Sequence, residues 1–223
     1  MIISNSLFSP VNPVDLGLFF VGTLVSLFSI VDPLMAVPTF VSVTAHDTPG
    51  QRISLARRTG FFVFCILIIF FISGSLILTF FGISIDALRI AGGLMILSSA
   101  YGMLNQKSRL APEEQQEAGE KEDHAFSPLA MPLLSGPGAI AVIIGLTADA
   151  KTFWHQLCII GVIALISYSC YLTLRLANKV VSNISKTTIN AFTRIMGFIL
   201  LCVGVQFIVN GVQPILLNSL GGK

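Results

Sequence analysis

The sequence has little charge for its length. Charged residues make up 11% of the chain and hydrophobic residues 54%, and the mean hydropathy is +0.85. A soluble domain carries roughly 25% charged residues, so this chain lacks the polar surface that a water-soluble fold needs. The net charge of +2 gives no general attraction to nucleic acid. The composition predicts an all-α protein that crosses a membrane several times.

Spacings typical of metal sites, disulfide frameworks and catalytic motifs are also missing. All 4 cysteines lie inside apolar runs without a CxxC spacing, so we interpret them as small apolar residues. No GxSxG, HExxH or GxxxxGK[ST] motif occurs. An intramembrane hydrolase would need two acids, or a serine with a base, inside the bundle, and only Asp32 lies deep in an apolar run. We therefore expect no metal, no cofactor and no enzymatic activity.

Six apolar segments predict a bundle of six transmembrane helices, since about 20 apolar residues span a bilayer. The segments are Leu16–Val43, Thr59–Phe81, Ile85–Leu104, Phe126–Ala148, Phe153–Leu176 and Ala191–Val212. The first and the fourth are interrupted by proline, glycine and, in the first, an acid, whereas the other four are continuous. A buried soluble helix is the alternative for any single segment, but six in one chain favour the membrane.

An acidic stretch at 105–125 divides the chain into two halves of three helices, 16–104 and 126–212, within one transmembrane domain, 1–223. It has almost no apolar residues, so we expect a solvated linker. Most Lys and Arg residues lie on one side of the predicted bundle. They are Arg52, Arg57 and Arg58 after the first helix, Lys107, Arg109 and Lys121 in the linker, and Lys179 and Lys186 after the fifth, with Arg175 at the edge of that loop. The positive-inside rule therefore places the linker in the cytoplasm and both termini outside it.

The two halves resemble each other. Arg89-Ile90-Ala91-Gly92 opens the third segment, and Arg194-Ile195-Met196-Gly197 opens the sixth. The interrupted segments each carry two prolines five residues apart, Pro33/Pro38 and Pro132/Pro137. Three helices per half is an odd number, so the second half must enter the membrane from the opposite side. The pattern is typical of the inverted repeats of secondary transporters, and chance similarity of apolar sequence is the alternative.

Asp32 lies in the first interrupted segment, next to Pro33. A continuous helix over Leu16–Val43 would be about 42 Å long, against a hydrocarbon core of about 30 Å, so the segment must tilt or break. Pro33 and Pro38 favour a break, because each proline frees a carbonyl, those of Ser29 and Leu34. A carboxylate at a helix centre costs roughly 2.5–3.5 kcal/mol on insertion scales. We interpret Asp32 as part of a solute, ion or proton site; a packing interaction is the alternative.

The second interruption is Ser135-Gly136-Pro137-Gly138 in the fourth segment. A break there would expose the N–H groups of a half-helix that starts near Gly138, and such an N-terminus favours an anionic group such as a carboxylate. A pair of interrupted helices at corresponding positions is the best sequence indication of a transporter site. The alternative is a kink whose small residues allow close helix packing.

Two arginines and two amides also lie in the apolar segments. Arg89 and Arg194 begin segments on opposite faces of the predicted bundle, where they could extend to the lipid headgroups or pair with Asp32 or a solute carboxylate. Gln206 and Asn210 are four residues apart on one helix face, which favours hydrogen bonds between helices.

Four stretches stand out in order: Asp32-Pro33 with Pro38 and Phe40, FGISIDALRIAGGL from Phe81, PLAMPLLSGPGAI from Pro128 and RIMGFILLCVGVQFIVNG from Arg194. Together they resemble the MarC family of bacterial inner-membrane proteins, which is related to the LysE-type exporters. The resemblance implies six helices in the inner membrane and transport of a small solute, since some relatives are described as neutral amino-acid transporters. It also implies that Asp32 occupies a position where other members have Asp or Asn.

We therefore expect a secondary transporter or exporter that works by alternating access between inverted halves. The expected solute-binding residues are Ser29, Asp32, Pro33, Pro38, Arg89, Ser135, Gly136, Pro137, Gly138 and Arg194. The expected partners are the lipid bilayer and a small solute; a coupling ion or proton and a second copy of the chain are left open. The alternative function is a membrane assembly or scaffold factor that transports nothing.

Overall fold

The structure is a computed structural model that describes residues 13–45, 47–105, 125–150, 152–177 and 186–220. Its helices are α1 (Pro13–Val31), α2 (Ala36–Val43), α3 (Pro49–Phe81), α4 (Ile85–Leu104), α5 (Ala125–Leu134), α6 (Pro137–Asp149), α7 (Phe153–Arg175) and α8 (Lys186–Leu220). No strand occurs in these ranges, and the prediction of an all-α fold is confirmed. The predicted linker lies outside the described residues except at its two ends.

Five of the described helices are long and apolar enough to cross a membrane. Their spans are Val14–Val31, Pro49–Phe81, Ile85–Leu104, Phe153–Arg175 and Ala191–Leu217, and α6 contributes a shorter apolar helix, Pro137–Ala148. Only 22% to 39% of the residues in each long span are buried inside the protein, so most of each helix surface faces outward, where apolar side chains can meet lipid. The chain is a polytopic helical membrane bundle, as predicted.

Helix α3 begins ten residues before the predicted apolar segment. Thr48 caps it, because Gln51 N donates to Thr48 Oγ1 at 3.4 Å and Thr48 N donates to Gln51 Oε1 at 2.8 Å, a capping box followed by Pro49 in the first turn. Its 33 residues extend about 50 Å. The basic first turns of α3 therefore project beyond a hydrocarbon core of about 30 Å.

Side-chain contacts fix the relative directions of the helices. Phe19 of α1 contacts His155 of α7, with 4.7 Å between ring centroids, and further along both helices Phe28 and Leu165 line the same groove. Helices α1 and α7 therefore run parallel. Phe62 of α3 contacts Phe126 of α5 at 5.5 Å, and Gly74 of α3 lies against Ile144 of α6, so the α5–α6 segment runs parallel to α3.

Helices α4 and α8 run antiparallel along a seam of glycines. Gly197 of α8 lies against Met103 near the end of α4, Gly204 lies against Leu97, and Gly211 lies against Arg89 near the start of α4. These directions agree with six segments that cross in alternating directions. Glycine lets the two backbones approach closely, as small residues do in many membrane helix pairs.

Elements at corresponding positions in the two halves contact each other. Helix α4 contacts α8, α3 contacts α7, and the two interrupted segments meet through the pairs α1–α6 and α2–α5. An inverted repeat with one two-fold axis in the membrane plane produces this set of contacts. The interrupted segments also contact α3, α4 and α7.

Candidate functional site

The first interruption lies where α1 ends, at residues 32–35. Asp32 has φ +39°, and it is the only non-glycine residue with positive φ in the described ranges. Asp32 N donates to Phe28 O at 2.9 Å, and Asp32 O accepts from Met35 N at 3.1 Å. A non-glycine residue in this region costs about 1–3 kcal/mol and persists only where its surroundings hold it. The break therefore places a fully buried carboxylate, 0% exposed, in a strained turn.

Only one of the two prolines in this segment lies in the break. Pro33 follows Asp32 and is buried, whereas Pro38 is exposed in the first turn of α2. Helix N–H groups in the first turn have no partner within the helix, so proline fits there without a break. The carbonyl of Leu34 accepts from Val37 N at 3.2 Å, which satisfies the acceptor that Pro38 leaves free. Pro38 therefore starts the second half-helix and does not interrupt it.

The second interrupted segment contains two bends, and after them the start of a new helix. Ser127 (φ −122°, ψ 127°) and Met131 (φ −134°, ψ 128°) are extended within α5, and each precedes a proline, which disfavours helical geometry in the residue before it. Gly136 then precedes α6 in an extended conformation (φ −70°, ψ 176°), with Pro137 as the first helical residue. The prediction that this segment breaks before Gly138 is consistent with this geometry.

The two interruptions touch each other. A Cβ atom added to Gly138 would lie 2.6 Å from Cδ1 of Ile30, which is two residues before Asp32. The same Cβ would lie 3.9 Å from Ile96 of α4. Gly138 thus allows the C-terminal end of α1 to pack directly on the N-terminal turn of α6. The structure brings together the two features that the sequence indicated separately.

Several polar side chains are fully buried near this contact. Ser29 is 1% exposed, and Asp32 and Ser135 are 0% exposed. The Oγ atom of Ser135 has no hydrogen-bond partner within the described part of the chain. A buried hydroxyl without a partner costs about 1–3 kcal/mol of stability. A bound water, ion or solute would supply the missing hydrogen bond.

Helix α7 adds residues that sequence reasoning missed. Helix α7 contacts both α1 and α2, on either side of the break, and its Cys170 is fully buried. A groove of about 440 Å³ runs between α1, α7 and α8. Its lining residues are Leu24, Val25, Phe28, Ser29, Leu165, Ile166, Ser169, Met196 and Ile199. The groove is apolar except near Ser29 and Ser169, and nothing in the continuous α7 segment of the sequence indicated it.

The two arginines lie at opposite ends of the α4–α8 pair. Arg89 Nη1 lies 3.6 Å from Asp86 Oδ1 in the first turns of α4, seven residues or about 10 Å of helix from Ile96. Arg194 is exposed on α8, three residues before Gly197. Their location at opposite ends agrees with the predicted inversion. The pairing of either arginine with Asp32 or a solute stays a prediction.

Comparison with known proteins assigns the chain to a family. The model of the MarC family of integral membrane proteins matches residues 17–216. The chain belongs to the MarC family. A membrane protein of Methanocaldococcus jannaschii is 37% identical over 201 residues, which cover 89% of this chain and 98% of the relative.

Two bacterial MarC relatives are similar at the same level. The membrane protein YvbG of Bacillus subtilis (strain 168) is 36% identical over 90% of this chain and 98% of the relative. The inner membrane protein MarC of Citrobacter koseri is 35% identical over 86% of this chain and 93% of the relative. No solved structure matches the chain. The MarC match spans the described structure from Gly17 of α1 to Leu216 of α8 and therefore includes both interruptions.

Proposed function

We propose that this MarC family protein is a secondary transporter or exporter of small solutes, which bind between its two broken helices. The observation that carries the proposal is the packing of Ile30 on Gly138, which joins the two breaks beside buried Asp32 and Ser135. Many secondary transporters bind their substrate between discontinuous helices of two inverted repeats. The solute would cross the membrane chemically unchanged.

The helix ends that meet at the contact carry opposite partial charges. Helix α1 ends at Val31, so its terminal carbonyls and the Asp32 carboxylate present negative charge. Helix α6 starts at Pro137, and its first N–H groups, beginning with Gly138, present partial positive charge. A zwitterion would satisfy both ends, with its ammonium group near Asp32 and its carboxylate at the start of α6. Neutral amino acids are therefore the solutes to test first.

Access would alternate by rocking of the two halves around this contact. Gly138 contributes no side chain to this contact, and the groove lined by Phe28 and Ser29 ends three residues before Asp32. A coupling ion or proton would bind at Asp32, since it is the acid buried in the first break.

The orientation follows from the positive-inside rule. Six alternating crossings would put the basic residues near the start of α3, in the linker and after α7 on one side of the membrane. We place that side in the cytoplasm of a bacterium and both termini on the other side of its inner membrane.

Uptake into proteoliposomes tests the proposal. The purified protein is assayed with a panel of labelled amino acids, beside Asp32→Asn and Gly136→Leu. Gly22→Ala is the matched control, because a Cβ there meets nothing within 4 Å. We expect uptake of at least one solute, reduced in both site variants and unchanged in the control. The site assignment is wrong if the protein takes up no solute and if cells that carry either site variant behave like cells that carry the unmodified protein. Stable co-purification with a partner would then favour an assembly factor.

A further inference from the structure

The outward face of α8 carries amide side chains at membrane depth. Gln206, Asn210 and Gln213 are all exposed, and they lie inside the apolar span Ala191–Leu217. The middle of that span is near residue 204, so Gln206 lies about 3 Å and Asn210 about 9 Å from it along the helix axis. Both positions fall within the half-thickness of about 15 Å of a hydrocarbon core.

These amides keep unused hydrogen-bonding groups. Gln206 Nε2 donates to Asn210 Oδ1 at 2.7 Å, and this is the one side-chain hydrogen bond of either residue in the part of the chain that the structure describes. Each amide has two N–H donors and a carbonyl with two lone pairs. Lipid tails supply neither donors nor acceptors. A protein partner is therefore needed to satisfy the remaining groups.

The exposed residues of α8 follow a spacing that suits a second helix. Cys202, Gln206, Val209, Gln213 and Leu216 are all exposed and recur at alternating steps of four and three residues. This is the heptad spacing of residues that face a partner helix along a continuous line. The glycines of α8 that contact α4 lie outside this line. Helix α8 thus has one face packed within the chain and a second, amide-bearing face that is open.

We propose that this amide-bearing face is the contact surface for a second copy of the chain. Two copies inserted in the same orientation are related by a two-fold axis along the membrane normal, so their α8 helices run parallel and residues of equal number meet at equal depth. An amide both donates and accepts, so Gln206 can pair with the partner subunit's Gln206. The line of contact carries no charged residue, so nothing in it selects a charged partner.

Cys202 provides a native reporter of this dimer. It is exposed on the proposed line, one helical turn before Gln206, whereas Cys65 and Cys158 are half-buried on other helices and Cys170 is buried. The full-length protein with Cys202 as its single cysteine is oxidised in membranes. The matched control is a cysteine-free chain with Leu94→Cys, which is 57% exposed on α4. We expect a disulfide-linked dimer from Cys202 and none above background from the control.

A second arm tests the amides themselves. Energy transfer between labelled copies in liposomes measures the dissociation constant for the protein, for Gln206→Leu, for Gln213→Leu, and for Leu94→Ile on α4 as the apolar control. Loss of each amide should weaken the dimer roughly 3- to 20-fold, and the control should leave it unchanged. A monomer, a Cys202 cross-link no stronger than that of the Leu94→Cys control, or a leucine variant that dimerises as tightly would each overturn the proposal.

Discussion

The close packing of α4 on α8 along the glycine seam can be tested by one substitution, Gly93→Ala. A Cβ atom on Gly93 would lie 2.6 Å from Ile208 Cγ1 and 2.7 Å from the carbonyl oxygen of Gly204. The second neighbour is backbone, so Gly93→Ala can be accommodated only if the two helices move apart. Gly161 in α7 is the matched control, because a Cβ there meets nothing within 4 Å.

The magnitude follows from two opposing effects. Replacement of glycine by alanine inside a helix stabilises it by about 1 kcal/mol, and both variants share this gain. Overpacking of a tight contact costs about 1–3 kcal/mol, and only Gly93→Ala carries this cost. We therefore expect the free energy of unfolding of Gly93→Ala to lie about 1–3 kcal/mol below that of Gly161→Ala, because the helix propensities cancel in the comparison.

Unfolding in mixed micelles measures this difference. Titration with a denaturing detergent, followed by helical circular dichroism, gives the free energy of unfolding of the protein and of both variants. Gly161→Ala should be at least as stable as the unmodified protein, and Gly93→Ala should be the less stable of the two variants. Equal free energies for the two variants would refute the antiparallel packing of α4 on α8 at this position.

Three further predictions concern the breaks and the topology. Gly138→Ala should lower solute uptake because its Cβ would lie 2.6 Å from Ile30 Cδ1, and Ile30→Val, which removes that atom, should restore uptake in the double variant; full uptake by Gly138→Ala alone would contradict the contact. Asp32→Ala should be about 1 kcal/mol less stable to unfolding than Asp32→Asn, because asparagine tolerates positive φ; equal stabilities would argue against the strained turn. A reporter fused after Lys223 should be active outside the cytoplasm, and activity inside would reject the inverted orientation.

Composition and helix breakers were enough to predict the bundle and the position of both interruptions. Long apolar segments have few structural solutions in a membrane, and Pro33 and Pro137 lie where helices end or begin. The length of α3 was underestimated because a capping box begins it among polar residues, before its apolar part. Pro38 was interpreted as a breaker, although a proline in the first turn of a helix needs no break.

The site was only partly predictable, because contacts between distant segments leave little trace in one sequence. The packing of Ile30 on Gly138 and the packing of α7 beside the first break depend on how α1, α6 and α7 meet. Small residues such as Gly138 are common in membrane helices, so their pairing cannot be read from spacing alone. Hydrogen bonding of Gln206 to another helix was expected, yet its described partner is Asn210 on the same helix.

Access of water to Ser135 tests the central claim most directly. The side chain is 0% exposed and its hydroxyl has no hydrogen-bond partner in the described structure. Water can therefore reach it only if the site between the two broken helices opens, as alternating access requires. Ser135→Cys, in a chain whose native cysteines are replaced, is treated in proteoliposomes with a small water-soluble thiol reagent, beside Leu67→Cys from the apolar core. The account predicts that Ser135→Cys is modified and that a transported amino acid slows the modification. Reactivity as low as that of Leu67→Cys, or a rate that no solute changes, would contradict a solute site between the two broken helices.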